Sequence, residues 1–319
     1  MASIDLFEAS ISLFCFVIFY YFFIKKNFGY LLIKKTLQSY AWNWPVLGMV
    51  PALFVWHNGI DDIIWFIEKK NLTFLFKGPW FTRMDALITV DPANIHHIFS
   101  SNFSNYIKGS DFNEIFDVFG DAIFNTDSEL WKNQRMTCFF LFSIAIQRKG
   151  QSWTCRIFTK RSTQIYQNPQ LVYLHGALCE AMRLYPPVPF QRKSPIKSDV
   201  LPSGHKVDAN SIIIIPIYVL GRMRSVWGDD ALEFKPERWI SETGGLRHEP
   251  SFKFLAFNCG PRTCPGKHLA LTAMKAIIVE ILQNYDVKLI EGQKIEPKPR
   301  LVLQMNHGLR VTLTKKCSA

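Results

Sequence analysis

The segment Phe257-Asn258-Cys259-Gly260-Pro261-Arg262-Thr263-Cys264-Pro265-Gly266 sets a cysteine in a loop between two glycines, with an arginine two positions before it. A cysteine sulfur binds a metal or attacks an electrophile only as the thiolate. The neighbours supply what a deprotonated sulfur needs: backbone N–H groups of a tight loop and the positive end of a helix predicted to start after Pro265. Gly260 and Gly266 let the backbone come close to a bulky planar group and take dihedrals denied to residues with a Cβ. Arg262 can hold a carboxylate by charge-assisted hydrogen bonds, and Phe257 can pack against the sulfur and keep water away. These are the requirements of an axial thiolate on haem iron, whose electron donation favours cleavage of an O–O bond. A zinc reading of Cys259, Cys264 and His268 fails on count, because a structural zinc takes four ligands.

Two further constellations stand upstream in the chain. Trp131 and Arg135 are four apart in Glu129-Leu130-Trp131-Lys132-Asn133-Gln134-Arg135, on one face of an expected helix. Leu178 to Tyr185 reads as a helix stopped by Pro186-Pro187, with Glu180 and Arg183 one turn apart on the same side. Some fifty residues later comes Phe234-Lys235-Pro236-Glu237-Arg238-Trp239. Between these segments, Asp208 to Leu220 is rich in isoleucine and valine and reads as buried strand.

The ten-residue loop resembles the haem-binding signature of the cytochrome P-450 family at every constrained position, and the upstream segments resemble further motifs of that family in the expected order. The resemblance implies a mainly α fold with a small β region, with haem b as cofactor and Cys264 as the axial ligand of its iron. Phe257, Gly260, Arg262 and Gly266 would shape the loop and hold the haem, and Trp131 and Arg135 would donate to a haem propionate. Glu180, Arg183 and Arg238 look like the Glu-Arg-Arg triad of the family, a structural rather than catalytic unit in which two guanidiniums share one buried carboxylate. The implied reaction inserts one oxygen atom from O2 into a C–H bond, with electrons from NADPH-cytochrome P-450 reductase. The stretches YLHGALCEAMRLYPPVPF and VLPSGHKVDAN look most like the plant clan that hydroxylates fatty acids and alkanes, which makes a long-chain aliphatic molecule the expected substrate.

With 319 residues, 48% of them apolar, the chain can bury a large core. Its seven cysteines are odd in number and irregularly spaced, which favours a reducing, cytosol-facing body over a disulfide framework. The net charge of +11 comes from scattered Lys and Arg without a nucleic-acid motif, so a membrane surface and an acidic protein partner account for it, and no nucleic acid is expected. Residues 4–24 form an apolar run long enough to span a bilayer; Lys25, Lys26, Lys34 and Lys35 follow it, whereas Asp5 and Glu8 stand at its start. That charge asymmetry is the reverse of a cleaved signal peptide and puts the body on the cytosolic side of the endoplasmic reticulum membrane. The expected organisation is an anchor at 4–24, a basic, proline-containing hinge at 25–51, and a haem domain at 52–319.

The chain departs from the family between Trp131 and Glu180, which are only 49 positions apart. In complete members this interval holds several long helices, including the one that crosses the distal haem face with an acid-Thr pair. No such pair occurs here, and residues 143–170 are polar, basic and without sustained helical periodicity. The expected domain therefore lacks the central helices and is incomplete around 143–170. A second reading follows: a catalytically inactive, membrane-anchored remnant, either a pseudogene product or an incomplete gene model, that at most binds haem.

Overall fold

The structure, a computed structural model, describes residue 43 and residues 46–50, 60–82, 84–147, 170–298 and 302–316. These fall into two units: residues 43, 46–50 and 77–82 in the smaller, the remainder in the larger. In the smaller unit two segments pair through backbone bonds, Met49 N donating to Lys77 O at 2.7 Å and Trp80 N to Val46 O at 3.2 Å. The anchor expected at 4–24 and most of the hinge lie outside the described residues, and among those described no helix is long and apolar enough to cross a membrane.

The larger unit mixes helices and strands. Helix α1 (Ile60–Lys69) buries Ile64, Phe66 and Ile67 on one side. It leads into the antiparallel hairpin of β1 (Thr73–Phe76) and β2 (Ala86–Thr89). Helix α2 (Pro92–His96) starts where Asp91 accepts the Ala93 N–H at 2.8 Å and Pro92 presets the first turn. It runs into a π-helical turn, His97–Ser101, and then β3 (Tyr106–Ile107), α3 (Ser110–Ile115) and α4 (Ser128–Gln147). Next come α5 (Gln170–Leu184), β4 (Gln191–Pro195), β5 (Asp199–Val200), β6 (Lys206–Val207) and β7 (Ile212–Ile215). Two short helices, α6 (Ile217–Leu220) and α7 (Arg224–Trp227), precede the long irregular stretch that ends in α8 (Lys267–Asn284). Strands β8 (Tyr285–Leu289), β9 (Pro297–Lys298), β10 (Gln304–Met305) and β11 (Val311–Lys315) close the unit as two hairpin pairs, β8 with β11 and β9 with β10.

Five strands form one sheet in the order β1-β2-β7-β4-β3. β7 is its centre, parallel to β2 through Ala86↔Ile212 and antiparallel to β4 through Gln191↔Ile215. Four consecutive isoleucines suit that position, and Ile213 and Ile215 are fully buried. The strand is shorter than the 208–220 read from sequence. Pro216 has no N–H to continue the ladder, so the chain leaves the sheet and coils into α6.

The sheet end and the π-turn are joined at Asp199. One carboxylate oxygen accepts from His97 Nε2 (2.8 Å), Asn102 Nδ2 (2.8 Å) and the Tyr106 hydroxyl (2.7 Å), and the other accepts from the Val200 amide. The His97 bond, against an opposing effect of burial, leads the contacts that hold this carboxyl well below the ordinary aspartate range. A second core lies between α5 and α8, where Cys179, Met182, Trp227, Trp239, Phe254 and Leu271 pack together. These two anchors fix both sides of the cysteine loop.

Candidate functional site

The cysteine loop is built from short helical turns because its glycines and prolines permit no longer element. Residues Leu255–Phe257 make one 3-10 turn and Gly260–Arg262 another, separated by Asn258 at φ +61°. Cys264 N then donates back to Phe257 O at 2.8 Å, and Thr263 closes on Gly260 O through both its N–H (3.0 Å) and its hydroxyl (2.8 Å). Cys264 sits exposed at the tip, immediately before α8, while Cys259 is buried beneath.

The two glycines of the loop differ. Gly260 has φ +60°, and a Cβ there would run into the carbonyl of Phe99 in the π-turn. Gly266 has φ −87° and ψ 6° at the N-cap of α8, a conformation open to any residue. The expectation that both need glycine for their dihedrals is thus corrected: Gly260 alone of the pair takes a left-handed backbone. Gly260→Ala is expected to cost about 1–3 kcal/mol of stability through strain and collision, seen as a lower urea midpoint. An unchanged midpoint would show that the loop and π-turn separate freely.

Helix α4 brings its motif against this loop. Arg135 Nη2 donates to Thr263 O at 2.6 Å, which ties residues 128 apart in sequence. Burial lowers its pKa, against the opposing influence of Cys264. Trp131 is buried, with Arg262 stacked on its ring at 4.0 Å and Phe103 at 5.7 Å. Arg262 also donates to Asp127 Oδ1 at 2.6 Å and to Thr126 O at 2.9 Å. Burial brings Arg262 down to about 10, with Asp127 acting in the other direction. Its Nε is buried and, among the described residues, has no hydrogen-bond partner. An open groove of about 490 Å3 lies beside this contact, walled by Trp131, Arg135, Met136, Phe139, Gly260 and Pro261. Phe257 lies on the rim of the second core, with the Lys267 ammonium 5.7 Å from its ring centre.

The Glu180 carboxylate is fully buried and meets five donors. Arg183 grips it as a two-pronged fork, Nε to Oε2 and Nη2 to Oε1, both at 2.7 Å. Arg238 Nε approaches Oε1 at 3.4 Å, the Lys235 amide donates to Oε1 at 3.0 Å, and the Trp239 indole to Oε2 at 3.0 Å. Arg183 also donates to the carbonyls of Gly221, Ala231 (2.6 Å) and Glu233 (2.9 Å), and Arg238 to Trp227 O at 2.7 Å and Asp230 Oδ1 at 2.7 Å. The three residues thus clamp α5 to the stretch that leads into the cysteine loop. Trp239 and the Lys235 amide were not anticipated, although Trp239 adjoins Arg238 in the sequence. Asp127 was also missed; a carboxylate just before a helix signals only a cap, not a distant arginine.

The residues present fit one half of a haem site. An accessible sulfur, two guanidiniums within one loop contact of it, and an unpaired buried N–H together suit a planar dicarboxylate with a metal at its centre.

A family model described as cytochrome P-450 matches residues 155–313. The alkane hydroxylase MAH1 of Arabidopsis thaliana is 35% identical over 491 aligned positions, covering 94% of this chain and 99% of that protein. Noroxomaritidine synthase 2 of Narcissus aff. pseudonarcissus MK-2014 is 27% identical over 97% of this chain and 96% of its own length. Cytochrome P-450 86B1 of Arabidopsis thaliana is 25% identical over 86% and 85%. The first alignment is much longer than the 319 residues of the chain, so a long stretch of that relative faces no residue here. With this cysteine loop and a relative of this identity aligned from end to end, the chain belongs to the cytochrome P-450 family, the haem-dependent monooxygenases that take electrons from a redox partner and act on lipophilic substrates.

Proposed function

We propose that this chain derives from a hydroxylase of long-chain aliphatic molecules, a fatty acid or an alkane, and that Cys264 is the thiolate ligand of haem b. The observation that carries the reading is the meeting of α4 with the cysteine loop: Arg135 on Thr263 O and Arg262 on Trp131, around the exposed sulfur. Arg262, Trp131 and Arg135 would hold the haem propionates, and Gly260, Gly266 and Phe257 would shape the loop below. Bound haem supplies oxygen activation, in which one atom of O2 enters a C–H bond and the other leaves as water, using two electrons and two protons. Those electrons would come from NADPH through NADPH-cytochrome P-450 reductase. The chain's own residues would orient the macrocycle and neutralise its carboxylates, and the Cys264 amide, bonded to Phe257 O, fixes the turn that presents the sulfur. The apolar run at 4–24 supports a single-pass anchor in the endoplasmic reticulum membrane with the body in the cytosol.

A second reading, a remnant that binds haem without turnover, is favoured by the short interval between Trp131 and Glu180 and the unmatched stretch of the relative. An acid-Thr pair passes protons, and a helix over the distal face keeps water from the metal; neither has a counterpart in this sequence. The test is turnover of a long-chain alkane or fatty acid with reductase and NADPH, beside a chimera carrying the interval from a full-length relative. The chimera is expected to form hydroxylated product at least about 100-fold faster than the chain itself. Comparable rates would exclude the remnant, and failure of both on every aliphatic chain length would exclude the substrate class.

A further inference from the structure

Helix α5 carries a sulfur and an imidazole that neither the cysteine loop nor the Glu180 clamp uses. His175 and Cys179 stand one turn apart on it, with Nε2 3.5 Å from Sγ. Cys179 is 4% exposed, in the core that α5 shares with α8, whereas His175 is half-buried and lies at that core's edge. Burial leads the effects that bring the imidazole down to about 4 and push the thiol up to about 11, so the ring is neutral and the thiol donates to its Nε2. The ring's own proton then sits on Nδ1, which is buried and has no partner among the described residues. A buried N–H without an acceptor costs stability, and an apolar ring at this position would escape that cost. Packing therefore gives no reason for the pair.

The donor types and their separation give one. Bonds of about 2.0–2.1 Å from an imidazole and about 2.3 Å from a thiolate, meeting at one ion near the tetrahedral angle, put nitrogen and sulfur about 3.5 Å apart. The observed separation matches that bite. Among the described residues no third His, Cys, Asp or Glu joins the two, which falls short of what Zn2+ takes. The other donors at hand are thioethers: Met182 belongs to the same buried cluster as Cys179, and Met274 of α8 packs against it. Sulfur of this kind beside an imidazole favours a soft ion such as Cu+. Charge points the same way. Lys275 on α8 is buried, and its charge, with those of His248 and Lys267, already disfavours added positive charge at His175. One thiolate cancels a monovalent ion but leaves a divalent one with excess charge in that core. We propose that His175 and Cys179 form a site for Cu+, in a core that Met182 and Met274 line with thioethers. The ion enters at the His175 edge and the thiol proton leaves as the Cu–S bond forms, with no change of oxidation state. The site is separate from the cysteine loop and does not depend on the haem reading.

The experiment titrates the full chain with Cu+ under nitrogen against bathocuproine disulfonate, a coloured Cu+ chelator, and repeats the titration with Zn2+. Cys264 and other thiols also take Cu+, so the readout is the bound ion lost on substitution. Cys179→Ser and His175→Phe are each expected to weaken one and the same ion about 100-fold or more, and the double variant should lose no more than either alone. Urea unfolding of each metal-free chain accompanies the titrations. His175→Phe is expected to match or exceed the wild-type midpoint, because it removes the unpartnered N–H. A pair that only packs would give the opposite pattern, a lower midpoint with copper binding unchanged, and that result overturns the proposal. Zn2+ held as tightly as Cu+ would overturn the choice of ion, and loss of the same ion from Cys138→Ser would put it elsewhere. Should Cys179→Ser fail to fold, His175→Phe, at the more exposed of the two positions, carries the same comparison.

Discussion

Cys264→Ser is expected to abolish the thiolate-type Soret shift that the haem-loaded, reduced protein shows with carbon monoxide, whereas Cys259→Ser should retain it. The two sulfurs are five residues apart and chemically unlike. Cys264 is exposed at the loop tip, its amide bonded to Phe257 O. Cys259 is 1% exposed, and burial pushes its thiol up to about 12 despite the nearby charge of Lys193. A sulfur this deeply buried offers a macrocycle no approach, whereas the exposed Cys264 does. The measurement is the difference spectrum of each purified variant after reconstitution with haemin. Loss of the shift in both variants, or in neither, would remove Cys264 from its assigned role.

The second large effect is expected at Glu180. Glu180→Ala strips five donors of their acceptor at once and leaves the Arg183 guanidinium, 1% exposed, without its counter-ion. Breaking one side of a buried ion pair costs about 3–5 kcal/mol. Against a total stability of about 5–15 kcal/mol this is enough to leave much of the chain unfolded. Arg238→Ala should cost less, because its 3.4 Å approach to Glu180 is the weaker one and its side chain is partly open to water. Denaturant midpoints of the three chains decide the order; Glu180→Ala with a wild-type midpoint would show that the clamp is dispensable. The acid response has a defined sign. Burial by itself would raise the Glu180 pKa, but the Arg183 fork, the Lys235 amide and the Trp239 indole outweigh it and leave the carboxyl below its ordinary value. Its stabilisation is thus complete above the unfolded glutamate pKa and is lost as pH falls through the lowered folded one.

Much of the cysteine loop was legible in the sequence because its constraints are local. Residue type and spacing within ten positions suffice to single out Cys264, and α-helical period suffices to put Glu180 beside Arg183, and Trp131 on the same face as Arg135. The same locality explains the errors. Isoleucine-rich composition extended β7 through Pro216, where the missing N–H ends it, and the glycine pattern gave Gly266 a backbone role that its φ does not require.

What the sequence by itself determined is the chemistry on offer: a candidate sulfur donor between two glycines, an arginine two positions before it, and a carboxylate with two guanidiniums spaced to clamp it. Only the tertiary structure decided which distant groups face one another. Asp127 meets Arg262 across 135 positions, Arg135 reaches Thr263 O across 128, and Trp239 closes on Glu180 across 59. Lys193 in a strand looks like an ordinary solvated lysine until packing buries it against the rings of Phe99 and Phe103. The physical reason is that backbone period relates residues only within a turn or two, whereas burial and charge pairing depend on which surfaces the whole chain brings together, and a charge changes its meaning when water is removed from it.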